Sequence, residues 1–150
     1  MKRLGTAVTV LALSVAGCGG DDEIIGPEAR AAADAFVRAL VANGNVAEAR
    51  SLATGSARAD AQLWHDYLVR EGVRTVEGPG SARANCIKAF PVFAPPEPAD
   101  CITYRLRGLL PIQGSRRTLV TIARFRVWPS RTEAGWRVSD FEYTPQLEVR

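Results

Sequence analysis

The chain changes its pattern of apolar and polar positions three times, and each change predicts a different kind of element. Leu4 to Ala16 is an apolar run interrupted only by Gly5, Thr6, Thr9 and Ser14. From Pro27 to about Glu71 apolar residues recur at helical spacing, and after Gly72 they alternate with polar ones as in strands. Pro27 opens the first predicted helix in the turn where proline is tolerated, with Glu28 near its positive end. Ala32, Phe36, Ala39 and Leu40, with Val37 nearby, make its apolar face, and Asn43-Gly44 stops it. Asn45-Val46-Ala47-Glu48 is similar to a capping box with Asn in place of Ser or Thr. It starts a short helix whose Ala49, Leu52 and Ala53 face inward, until Thr54-Gly55-Ser56 breaks it. A third helix from about Ala57 to Glu71 carries Asp60, Leu63, Trp64, Tyr67 and Leu68, and Gly72 ends it.

Beyond Gly72 the pattern predicts five extended segments. Val73 to Glu77 is followed by a turn at Gly78-Pro79-Gly80, and Ala84 to Val92 leads into Pro95-Pro96-Glu97-Pro98, which cannot be a central strand. Cys101 to Leu110 alternates, with Ile102, Tyr104 and Leu106 on one face and Thr103, Arg105 and Arg107 on the other. After a hairpin connection at Gln113-Gly114-Ser115-Arg116, Leu119, Ala123, Phe125 and Val127 line one face of the next strand, and Ile122, Arg124 and Arg126 the other. Pro129 to Gly135 reads as a turn and Gly135 to Thr144 as the last strand. There Trp136 and Val138 oppose Phe141 and Tyr143 unless a bulge near Ser139-Asp140 resets the phase. Helices first and antiparallel strands afterwards is an α+β order, with the helices packed on one face of the sheet.

The apolar run at the start is too short to cross a bilayer, which takes about 20 apolar residues. With Met1-Lys2-Arg3 before it, it reads as a secretory signal peptide. Val15-Ala16-Gly17-Cys18 resembles the lipobox of bacterial lipoproteins. The resemblance implies residues 1–17 as a signal peptide, cleavage before Cys18, and a diacylglycerol thioether on Cys18. Two acyl chains hold a membrane stably where one does not. The expectation is therefore a cell-envelope protein, lipid-anchored and facing outside the cytoplasm, with residues 18–25 as a polar tether and residues 26–150 as one domain.

Composition narrows the partners. The chain has 19 Lys and Arg against 16 Asp and Glu, and loss of Lys2 and Arg3 with the leader leaves 17 against 16, net +1. So balanced a chain gives no electrostatic reason to expect a nucleic-acid partner. With Cys18 modified, Cys86 and Cys101 form an even pair in an oxidising compartment and are expected to be bonded. One His and no short Cys spacing give no zinc pattern, so no metal or cofactor is expected.

Helices bearing Phe36 and Leu40, then Gly44-Asn45 into Ala49 and Leu52, a Trp-bearing helix, and a closing Gly135-Trp136-Arg137-Val138 are similar to the nuclear transport factor 2-like superfamily. That resemblance, over roughly Pro27 to Pro145, implies a strongly bent sheet folded around helices as a cone with a pocket, and Trp64, Tyr67, Tyr104, Trp136 and Asp140 are the residues placed along it. No catalytic role transfers to any residue. Trp64-His65-Asp66-Tyr67 is chemically suggestive, but neighbours on a helix diverge by about 100°, so His65 and Asp66 do not converge on one atom and read as solvated. Arg105, Arg107, Arg124 and Arg126 read either as an anion-binding patch or as a solvated face balanced by Asp140, Glu142 or Glu133. The leading expectation is a non-catalytic accessory domain binding a partner protein or a small apolar ligand. The alternative is a small ketosteroid isomerase-like or polyketide cyclase-like enzyme.

Overall fold

A computed structural model describes residues 24–88 and 98–149. The leader, Cys18, the first part of the tether and the stretch 89–97 with Pro95, Pro96 and Glu97 lie outside the described residues. The elements are α1 (Pro27–Val37), a π-helical turn (Arg38–Ala42), α2 (Val46–Ser51), α3 (Gly55–Arg70), β1 (Val73–Cys86), β2 (Ala99–Pro111), β3 (Thr118–Thr132) and β4 (Gly135–Val149). The strands form one antiparallel sheet in the order β1-β2-β3-β4. The chain is thus α+β, with helices and a four-stranded antiparallel sheet.

The first two helices start where the sequence marks them, whereas α3 starts at Gly55 and takes Gly55 and Ser56 of the expected break into its first turn. Pro27 occupies the first turn of α1. At α2 the Glu48 N–H donates to Asn45 Oδ1 (3.1 Å), while the Asn45 amide donates back to Glu48 Oε2 (3.0 Å). The reciprocal bond of this box uses the amide side chain because the Asn45 backbone N–H is already given to the Ala39 carbonyl (2.8 Å). The buried stripe of α1 is Ala29, Ala33, Phe36 and Val37 rather than one through Ala32, which is half-buried. On α3, Leu63 is 69% exposed and Ala57, Ala61 and Leu68 take the core positions, so the core-facing stripe runs one turn-position away from the larger apolar side chain.

Alternation in β2 holds as expected, whereas β3 also buries Thr121, Ile122 and Trp128 beside its core-facing Ala123, Phe125 and Val127. Ile102, Tyr104 and Leu106 are buried and face Val127, Phe125 and Ala123 across the pair, while Arg105 and Arg107 are exposed. Elsewhere, local turn signals are absorbed into longer strands. Gly78-Pro79-Gly80 is a bulge inside β1, not a turn: Glu77 opposes Arg105 and Ser81 opposes Thr103, so β1 spends two more residues than β2 over this interval. Pro129 likewise lies within β3, and the connection to β4 is only Glu133-Ala134. Trp128 opposes Asp140 and Pro129 opposes Val138, which leaves Ser139 over. That bulge resets the phase of β4, so Val138 and Phe141 are both buried in the same core.

Helices and sheet meet through aromatic rings. Phe141 lies 5.8 Å from Phe36, 5.2 Å from Phe125 and 5.7 Å from Trp64, ring centre to ring centre. The tail of α2 joins the sheet by backbone: Val138 N–H donates to the Leu52 carbonyl (2.9 Å) and Thr54 N–H to the Val138 carbonyl (2.8 Å). At the sheet end, Cys86 and Cys101 stand at disulfide distance with Cα atoms 5.9 Å apart, beside the buried Trp128. Closing a loop of about 15 residues in this way is worth roughly 3 kcal/mol on the chain-entropy account.

The passage from α3 into β1 turns on Gly72. Its φ is +70°, and a Cβ there would lie 2.5 Å from the Leu109 carbonyl oxygen, which is backbone and cannot step aside. Gly72→Ala is therefore expected to cost about 2–4 kcal/mol, combining left-handed backbone strain with overpacking. Gly114, with φ +76° and nothing within 4 Å of such a Cβ, isolates the strain alone at about 1–2 kcal/mol. Urea unfolding of the two variants measures the difference, and equal losses would show that the Leu109 contact contributes nothing.

Candidate functional site

The largest of the described cavities opens between the end of α1 and the bulge of β1, and it holds about 520 Å³. Two polar contacts tie α1 to the strands beside it. Arg30 donates to the Gly80 carbonyl (2.7 Å), and one turn later Asp34 accepts the Tyr104 hydroxyl (2.5 Å). Spacing of four residues puts Arg30 and Asp34 on the same helix face, so both reach the sheet together. Gly80 makes this possible, since a Cβ there would lie 2.5 Å from Ile102 Cγ2 and 2.6 Å from Tyr104 Cε1. With no side chain in the way, β1 lies directly on the Tyr104 ring and the phenol emerges beside α1. The π-helical turn, closed by the Asn43 N–H on the Arg38 carbonyl (2.9 Å), brings Arg38, Ala42 and Asn43 to the opposite wall.

The electrostatics follow from this geometry. Tyr104 is 3% exposed. Burial first, then the hydrogen bond to Asp34 and its negative charge, push its phenol well above the ordinary tyrosine range, with Arg30 opposing. Tyr104 therefore stays protonated and its proton is committed to Asp34, an arrangement suited to a fixed polar wall. Arg38 and Arg74 also line the cavity, together with Val37, Val76 and Pro79 as apolar surface.

The other residues singled out in the sequence lie elsewhere. Trp64 and Asp140 line a second cavity of about 310 Å³. Asp140, on β4, accepts from Ser56 Oγ at the start of α3 (2.9 Å) and from the Phe141 N–H (2.9 Å), and pairs with Lys88. Tyr67 and Trp136 pack against the core. Of the five expected pocket residues, Tyr104 alone lines the 520 Å³ cavity.

His65 is half-buried rather than solvated: its Nδ1 lies 3.3 Å from the Leu40 carbonyl. A carbonyl only accepts, so Nδ1 carries the proton and donates it to a carbonyl of the π-helical turn. Asp66 is exposed and accepts from Gln62 (2.9 Å). The arginine face is balanced across strands by Glu142, as expected, and by Glu77, which was not among the acids expected. Glu77 pairs with Arg105 (2.9 Å) and Arg107 (3.6 Å), and Glu142 pairs with Arg126, while Asp140 serves Lys88.

Sequence reasoning missed Arg30, Asp34, Arg38, Arg74 and Gly80. Arg30 and Asp34 carry no motif of their own in the sequence, and glycine beside proline reads as a turn. No group of three or more metal-ligating side chains occurs among the described residues, and no helix among them is long and apolar enough to cross a membrane. Comparison with family models, with curated proteins and with solved structures finds no match.

A second tyrosine gives a test of the electrostatics. Burial, then Tyr67 and Glu71, push Tyr143 up to about 12. Its hydroxyl has no hydrogen-bond partner among the described residues. A phenol whose value is raised in the folded state adds stability that is complete below the unfolded value near 10 and is lost as pH rises through the folded value. Tyr143→Phe is thus expected to leave stability at pH 7 unchanged, or raise it by up to about 1 kcal/mol because an unpartnered hydroxyl is removed. It also flattens the decline in stability between about pH 10 and 12. Urea unfolding across that range measures it, and an unchanged alkaline slope would contradict the assignment.

Proposed function

We propose that this protein is a lipid-anchored lipoprotein of the cell envelope whose folded part is a non-catalytic binding domain, with the cleft beside Tyr104 as its ligand site. The observation that carries the binding reading is the cleft itself. Its volume falls in the range of about 300–1,000 Å³ typical of small-molecule sites, and charged and polar side chains share its lining with apolar ones. The non-catalytic reading rests on how the candidate acids and bases are engaged. Asp34 holds the Tyr104 proton, His65 holds the Leu40 carbonyl, and Asp140 holds Lys88 and Ser56. Of the three, Asp34 alone lines the cleft, and its carboxylate is engaged by the Tyr104 hydroxyl, whereas an isomerase-like or cyclase-like reaction requires a free base at the substrate.

The likeness to the nuclear transport factor 2-like superfamily is part of the same proposal. Its support is the order of helices before antiparallel strands, and the bulges in β1 and at Ser139, which bend a sheet in the way a cone requires. The anchor rests on Lys2-Arg3, the apolar run and Val15-Ala16-Gly17-Cys18 in that order.

If the cleft binds apolar or amphipathic metabolites, they raise the melting temperature, because a ligand held only by the folded state stabilises it by mass action. A panel of lipids and hydrophobic metabolites that produces no shift would leave the domain to a protein partner. For the anchor, growth with a fatty-acid analogue is expected to label the wild-type chain and not Cys18→Ala. Equal labelling of both would remove the membrane attachment.

A further inference from the structure

We propose that the cleft is built for a single-chain amphiphile with an anionic head, a carboxylate or a phosphate, held between Arg38 and Arg74. This rests on the reading of the cleft as a ligand site and names the class of ligand. Arg38 comes from the π-helical turn and Arg74 from the start of β1, so two chain segments that are remote in sequence each bring a guanidinium to the same cavity.

The balance of charge distinguishes these two from the cations of the sheet. Arg105 and Arg107 share Glu77, Arg126 has Glu142, and Lys88 has Asp140. Among the described residues, neither Arg38 nor Arg74 has a carboxylate partner. The carboxylate that lines the cleft, Asp34, is already engaged by the Tyr104 hydroxyl, and Arg30 stands close enough to act on that same phenol. The cleft therefore carries more positive than negative charge, and an entering anion meets forked donors suited to carboxylate or phosphate oxygens. A neutral apolar molecule would instead cover those donors and leave them without acceptors.

The remaining wall decides what is attached to the head. Val76 and Pro79 line the cavity with apolar surface still open to water, and about 520 Å³ is far more room than a free inorganic anion fills. An alkyl chain gains from covering that wall in proportion to the area it removes from water. Tyr104, kept protonated and fixed by Asp34, closes the cleft at its deep end without adding charge.

The test is photo-crosslinking of the full chain in its native membranes, using three probes with the same diazirine-bearing dodecyl chain and a carboxylate, a phosphate or a hydroxyl head. Peptide mass spectrometry then locates the label. The carboxylate or the phosphate probe is expected to label residues between Val37 and Asn43 or between Val76 and Gly80, at least about tenfold more than the alcohol. In Arg38→Gln/Arg74→Gln, whose altered side chains are exposed, that labelling is expected to fall by a similar factor while the melting temperature without ligand stays the same. Which anionic probe labels more strongly separates the two head chemistries. Equal cleft labelling by the alcohol, or undiminished labelling in the double variant, overturns the anionic class and leaves the cleft as a binding site. Complete displacement by millimolar inorganic phosphate overturns the requirement for an alkyl chain. No cleft labelling by any probe overturns the class and the binding reading together.

Discussion

The bond between the Tyr104 hydroxyl and Asp34 is the constraint on which the shape of the candidate site depends. It ties the first helix to the second strand across the first, and it can form only because Gly80 presents no side chain over the tyrosine ring. Arg30 makes a second tie one turn earlier, on the carbonyl of that same glycine. Burying a phenol next to a carboxylate is costly if either is left unpaired, so the two stabilise each other's position only as a pair. The two extra residues in β1 accommodate this approach, and the cleft is the space left between the bulge and the end of α1.

The rest of the molecule holds that junction in place by other means. Phe141 links α1, α3 and the sheet through its contacts with Phe36, Trp64 and Phe125, a packing that stabilises through area and ring geometry together. The bulge at Ser139 is what allows Phe141 to share a core with Val138. His65 reaches from α3 to the Leu40 carbonyl within the π-helical turn, the same turn that, with its cap Asn43, brings Arg38 to the cleft. The site is thus assembled at the seam where α1 ends, with its supports drawn from three other elements.

Much of this was legible in the sequence where the physics is local. Pro27, the Asn45 and Glu48 box, and the alternation from Ile102 to Leu106 each act through neighbours in the chain, and each forms the element expected. Gly78-Pro79-Gly80 was misread because its local chemistry is that of a turn. Its actual role is set by Tyr104, 24 positions later in the numbering, on a strand whose pairing no local pattern reveals. Pro129 was misread for the same reason, since its neighbours on β4 keep the strand going beyond it. Leu63 shows the limit of counting apolar residues: the small Ala57 and Ala61 lie where α3 meets its neighbours closely, so the larger leucine is left outside. The site was legible only through Tyr104, because the other contributors are ordinary arginines, an aspartate and a glycine until the fold brings them together.

Hydrogen–deuterium exchange of the full chain with and without dodecanoate tests the central claim most directly, because it reports on the backbone of both walls at once. The account predicts slower exchange confined to Arg38 to Asn43 and Arg74 to Gly80, the segments that face each other across the cleft. Unchanged exchange in both segments, or slowing confined to the surface around Trp64 and Tyr143, would contradict it.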